Sequence, residues 1–106
     1  MKQHITLKQW EELNLKQKKI LVGGIFGIRK GFASEEKYLK VVLQEYNPNI
    51  GQMIEFLGED LADMLHRYDI GKWHVGVNFI EDKLEWIEER ELCDTLWEAV
   101  KYKLNN

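Results

Sequence analysis

The chain reads as an α+β domain, mainly α, and three features carry that reading. Reciprocal capping signatures mark helix starts, one stretch alternates apolar and polar residues, and the C-terminal region carries a broad apolar stripe. Together they predict five or six short amphipathic helices, a small two-stranded antiparallel hairpin over about 72–88, and a C-terminal helix. With 106 residues, 44% of them apolar, the chain is expected to form a single compact domain over 1–106 with one core and no metal or disulfide staple.

Thr6 followed by Gln9 is a capping box, with Ile5 and Trp10 in staple positions, and it opens a helix over about 7–13. Asn14 with Gln17 repeats the signature and starts a second helix at Leu15, so the two meet at a corner rather than as one rod. The glycines of Gly23–Gly31 weaken that helix, which is expected to end before Gly31. Ser34 with Glu35 and Glu36 opens a helix over about 35–46, ended by Asn47-Pro48-Asn49. Asn49 with Gln52 is the third box; Ile50, Met53, Ile54 and Leu57 share one helical face, and Gly58 reads as its stop. Leu61, Met64 and Leu65 suggest a further helix over about 59–67.

From Trp73 to Phe79 the period changes to two, the mark of a half-buried strand, and Leu84-Glu85-Trp86 returns from a tip at Glu81-Asp82-Lys83. A long final helix beginning near Ile80 is the competing reading of that return. Leu92, Cys93, Leu96, Trp97, Val100 and Leu104 then line one face of a helix over about 89–104.

Fifteen basic and eighteen acidic residues leave a net charge of −3, which argues against a surface that binds nucleic acid all over. The charge is polarised: residues 1–40 hold nine basic and four acidic side chains, and residues 41–106 hold six and fourteen. The longest apolar run, Ile20 to Ile28, is nine residues with three glycines, about half of what spans a bilayer, so a cytoplasmic protein without membrane contact is expected. Cys93 is the lone cysteine and sits in the apolar stripe, so it is expected to pack rather than react.

No catalytic constellation stands out. Ser34 reads as a helix cap, the histidines His4, His66 and His74 lack zinc-ligand spacing, and Asp63, His66 and Asp69 read as an exposed helix end. The glycine cluster lacks phosphate-loop spacing and reads as a close helix contact or a bend. Neither an enzyme, a metal nor a cofactor is therefore expected. Trp10, Trp73, Trp86 and Trp97 are many for this length, and one on the surface would make an interface anchor.

Three segments carry a resemblance. Ile5-Thr6-Leu7-Lys8-Gln9-Trp10-Glu11-Glu12-Leu13-Asn14-Leu15-Lys16-Gln17-Lys18, Asn49-Ile50-Gly51-Gln52-Met53-Ile54-Glu55-Phe56-Leu57 and Glu91-Leu92-Cys93-Asp94-Thr95-Leu96-Trp97-Glu98-Ala99-Val100-Lys101 resemble small accessory proteins encoded by phages and prophages of low-GC Gram-positive bacteria. They cover about a third of the chain and bring no catalytic residues with them. The resemblance implies a bacterial host cytoplasm and a role on the phage's own machinery or on a host factor.

The expected function is a non-catalytic module that modulates a host or phage protein, of the host-takeover or anti-defence kind. Phe79, Glu81, Asp82, Glu85, Trp86, Glu88 and Glu89 are its expected contact residues, an acidic face with an apolar centre. The alternative is a nucleic-acid- or nucleotide-binding protein using Lys16, Lys18, Lys19, Arg29 and Lys30. A protein partner is the principal expectation, and the oligomeric state is open.

Overall fold

The computed structural model describes residues 1–26, 47–80 and 83–105. Among them the order is α1 (Leu7–Trp10), α2 (Leu15–Phe26), α3 (Ile50–Leu57), a 3-10 turn (Gly58–Asp60), β1 (Leu61–Arg67), β2 (Lys72–Ile80), β3 (Lys83–Glu89) and α4 (Leu92–Leu104). The three strands form one antiparallel sheet in the order β1-β2-β3.

All three capping signatures are realised. Thr6 and Gln9 bond reciprocally, as do Asn49 and Gln52. Asn14 and Gln17 do so at 3.0 and 2.8 Å, which ends the α1 turn and starts α2. Each box satisfies two amide groups that a helix start otherwise leaves unpaired, worth about 1 kcal/mol apiece. The segment before α1 is tied to the segment before α3: the Ile5 amide donates to the Pro48 carbonyl and the Ile50 amide to that of Gln3.

The core gathers around α4. Leu92, Cys93, Leu96, Trp97, Ala99 and Val100 are buried on it and meet Ile5, Trp10 and Leu13 from the N-terminal turn, Leu21 and Val22 from α2, and Met53 and Leu57 from α3. Val75 and Val77 supply the contribution of the sheet. Polar contacts fix the arrangement at its margins. The Trp97 indole N–H donates to Glu12, whose other oxygen takes the Lys101 ammonium at 2.8 Å. Lys103 donates to the Phe56 carbonyl at 2.7 Å and pairs with Asp60, placing a cation at the C-terminal end of α3, where the helix dipole favours it.

Two expectations about the fold are overturned. The sheet has three strands rather than two, because the segment expected as a helix over 59–67 is a 3-10 turn followed by β1. Leu61, Ala62, Met64 and Leu65 are good helix formers, but a weak local preference yields to pairing with the strongly alternating β2. Gly58 at φ +51° stops α3, and Gly71 at φ +63° lets the chain turn back between β1 and β2. The helix count is likewise corrected: four α-helices among the described residues, not five or six with a two-stranded hairpin. The helix expected over 35–46 lies outside the described residues. The return strand at 83–89 is a strand, which removes the reading of one helix from Ile80 onward.

The helix expected to weaken at its glycines runs through Gly23 and Gly24 to Phe26. Gly24 meets the Phe56 ring so closely that an added methyl carbon would lie 2.9 Å from it, a close approach between α2 and α3.

Candidate functional site

Strand alternation gives the sheet two unlike faces. On one, Val75 and Val77 of β2 are buried under α4, with Ile87 of β3 partly buried against the same core. Phe79 stacks on Tyr102 of α4 at 5.0 Å, and the Tyr102 hydroxyl donates to Glu85, which raises its pKa above the usual phenol range. Beyond the helix end the same face carries His66 between Tyr68 and Trp73, at 4.4 and 4.9 Å between ring centres.

The other face has no described element over it. The pairings Asp63↔Gly76, Leu65↔His74, Gly76↔Trp86 and His74↔Glu88 place Leu65, Leu84 and Trp86 there, around Gly76. Leu65, Leu84 and Trp86 are 49, 48 and 48% exposed. The six-membered ring of Trp86 rests against Gly76: a methyl carbon there would lie 3.2 Å from the ring and 3.3 Å from Leu84. A glycine opposite a tryptophan gives the indole a flat seat on the backbone, so half of it is packed while half faces solvent.

Charged groups border this patch. His74 Nε2 lies 2.7 Å from Glu88, and Lys72 approaches the same carboxylate at 3.3 Å. The Lys72 contact, with His74 beside it, holds Glu88 below the ordinary carboxylate range. His74 Nδ1 is buried with no hydrogen-bond partner among the described residues.

The structure therefore divides the expected contact residues. Trp86 and Glu88 lie on the open face; Phe79, Glu85 and Glu89 alternate onto the face that α4 packs against, with Phe79 and Glu85 engaged by Tyr102. Glu81 and Asp82 lie outside the described residues. Gly76, Leu65, Leu84, His74 and Lys72 join the site without having been foreseen. For Leu84 the alternation with Trp86 was a usable signal; for Leu65 there was none once its segment read as a helix.

Of the basic alternative, Lys16 and Lys19 are exposed on α2, while Lys18 pairs with Glu11 at 3.2 Å and lies over the Trp10 ring. Arg29 and Lys30 lie outside the described residues. The helix end expected to carry Asp63, His66 and Asp69 is instead strand β1 and the turn after it: Asp63 and His66 fall on opposite faces of the sheet, and Asp69 pairs with Arg67 at 2.8 Å. Among the described residues no group of three or more His, Cys, Asp or Glu is placed to hold a metal ion, and no helix is long and apolar enough to cross a membrane. Cys93 is buried, and burial pushes its thiol up to about 11, so it stays protonated and unreactive near neutral pH.

No family, curated protein or solved structure matches the chain.

Proposed function

We propose that the protein is a non-catalytic, phage-encoded binding module that modulates a host or phage protein, and that its contact surface is the open face of the sheet. The single observation behind this reading is Trp86, half exposed on Gly76 beside Leu84, with the half-exposed Leu65 on the same face of the sheet. Tryptophan contributes more binding energy per residue than most side chains at protein interfaces, and an indole already seated on the backbone loses little freedom when a partner covers it. The charged border of Lys72, Glu88 and Asp63 supplies the polar rim such a patch needs. The phage origin rests on the three resembling segments.

Affinity capture at physiological salt from a low-GC Gram-positive lysate tests the reading, with wild type and Trp86→Ala run side by side. A stoichiometric protein retained by wild type and lost from the variant, with circular dichroism unchanged, is the expected result. Equal recovery by both, or no stoichiometric protein with wild type, overturns it.

A further inference from the structure

The open face of the sheet is charged unevenly. Arg67 and Lys72 pair across β1 and β2, and alternation puts both on the side that carries Leu65, Gly76 and Trp86. Where β3 runs out beside β2, the last pair is Trp73↔Glu89, so Arg90 follows at the position across from Lys72. Three cations thus stand in one row across the end of the sheet. Side chains directly opposite one another lie about 5 Å apart, where like charges repel. All three are open to solvent: the Arg67 and Lys72 side chains are 50 and 39% exposed, and Arg90 is exposed.

The anions that reach this row come from the chain itself. Arg67 donates to both oxygens of Asp69, at 3.3 and 2.8 Å. Glu88 takes Lys72 at 3.3 Å and His74 Nε2 at 2.7 Å. Arg90 has no ion-pair partner among the described residues. Two carboxylates therefore serve three cations, and one of the two is shared with His74. Exposed pairs of this kind contribute little to folding, so an outside carboxylate can replace them at small cost. Asp69 on Arg67 displays the chemistry that the row accepts: a carboxylate on the fork of a guanidinium.

We infer that the open face receives an amphipathic helix of the partner protein, apolar over Trp86 and Leu84 and acidic where it crosses Arg67, Lys72 and Arg90. This rests on the open face being the contact surface. A sheet face presents side chains but no free backbone N–H or C=O, so its occupant must satisfy its own backbone, as a helix does. Gly76, opposite Trp86, and Lys72, opposite Arg67, are four residues apart on β2. That is about 13 Å of strand, which a helix covers in about eight residues. Apolar side chains on one turn and carboxylates two turns further along the same helical face therefore meet both parts of the surface.

Fluorescence anisotropy with the full chain tests this. The probe is a labelled alanine-based peptide with leucines near its start and glutamates about eight residues later on the same helical face. Wild type is expected to bind it about tenfold tighter than a version with lysines in place of the glutamates, a preference that shrinks as salt rises. Arg67→Gln combined with Lys72→Gln should remove the preference. Glu88→Gln should enlarge it about twofold, because a competing carboxylate is gone. Trp86→Ala should weaken both peptides alike, and circular dichroism on each variant separates lost binding from lost folding. If Trp86→Ala leaves binding unchanged, the open face is not the contact, and the functional reading falls together with this inference. If Trp86→Ala weakens binding but the Arg67 and Lys72 changes do not, the inference alone is overturned. No binding of the acidic peptide up to about 1 mM also overturns it, as does a single-stranded oligonucleotide that binds tighter than the peptide and depends on the same two cations.

Discussion

The two faces of one sheet compare a finished surface with an unfinished one. Val75, Val77 and Ile87 on one side and Gly76, Leu84 and Trp86 on the other come from the same two strands, in the same alternation. The first set is covered by α4; the second is covered by a single indole seated on a glycine. What separates them is therefore the presence of a partner element, not composition: apolar residues stand on both faces, and on one of them half of their surface faces water.

The largest expected effect lies on the covered side. Trp97 is fully buried, and its indole N–H holds Glu12, so Trp97→Ala opens a cavity and removes that contact. A loss of about 3–5 kcal/mol is expected in urea denaturation, a large part of the stability of a domain this size. A small loss would mean that α4 is less central to the core than its burial implies.

Next comes the seat on the open face, read as a double-mutant cycle. In wild type, Gly76→Ala forces the Trp86 ring to shift, and its fluorescence should move to longer wavelength as the indole gains water. In a Trp86→Ala background the same change meets no ring and instead removes the entropic cost of a strand glycine. A coupling of about 0.5–1 kcal/mol between the two sites is expected, and strict additivity would show that the ring does not depend on Gly76.

The smallest effects are those of charge, and pH separates the two regions further. Burial alone would raise the pKa of Glu12, but hydrogen bonds from Lys101 and Trp97 outweigh it and leave the group below its ordinary range. Burial likewise opposes, and Lys2 and Gln9 overcome, the shift of Asp94, which is also lowered. A carboxyl lowered on folding binds fewer protons in the native state, so it adds stability above its unfolded pKa and loses it as pH falls through the folded one. Stability should therefore fall below about pH 4. Glu12→Gln should flatten that acid limb, measured by thermal unfolding from pH 2 to 7. Glu88→Gln on the open face should change it less, since that carboxylate is solvent-exposed and screened. An equal flattening by both would erase the distinction between the faces.

Much of the helical frame was legible locally. The pairs Thr6/Gln9, Asn14/Gln17 and Asn49/Gln52 each announce a helix start through side chains three residues apart, and all three form. The stripe from Leu92 to Leu104 likewise becomes the buried face of α4, because a 3.6-residue period leaves one side to cover. The alternation at Trp73–Phe79 announced β2 for the corresponding reason.

Tertiary pairing decided the rest. Nothing local in Leu61–Arg67 calls for a strand; its extended form depends on the edge that β2 offers once the hairpin and Gly71 have brought the two together. The candidate site depends on that third strand, because Leu65 reaches the patch from β1. The acids on β3 were read as one surface, yet period two sends Glu85 toward Tyr102 and Glu88 toward Lys72. A sequence records which residues alternate, but which side of the alternation meets the core is set by where the helix lands. That is a contact between residues far apart in the chain, with no local signal to announce it.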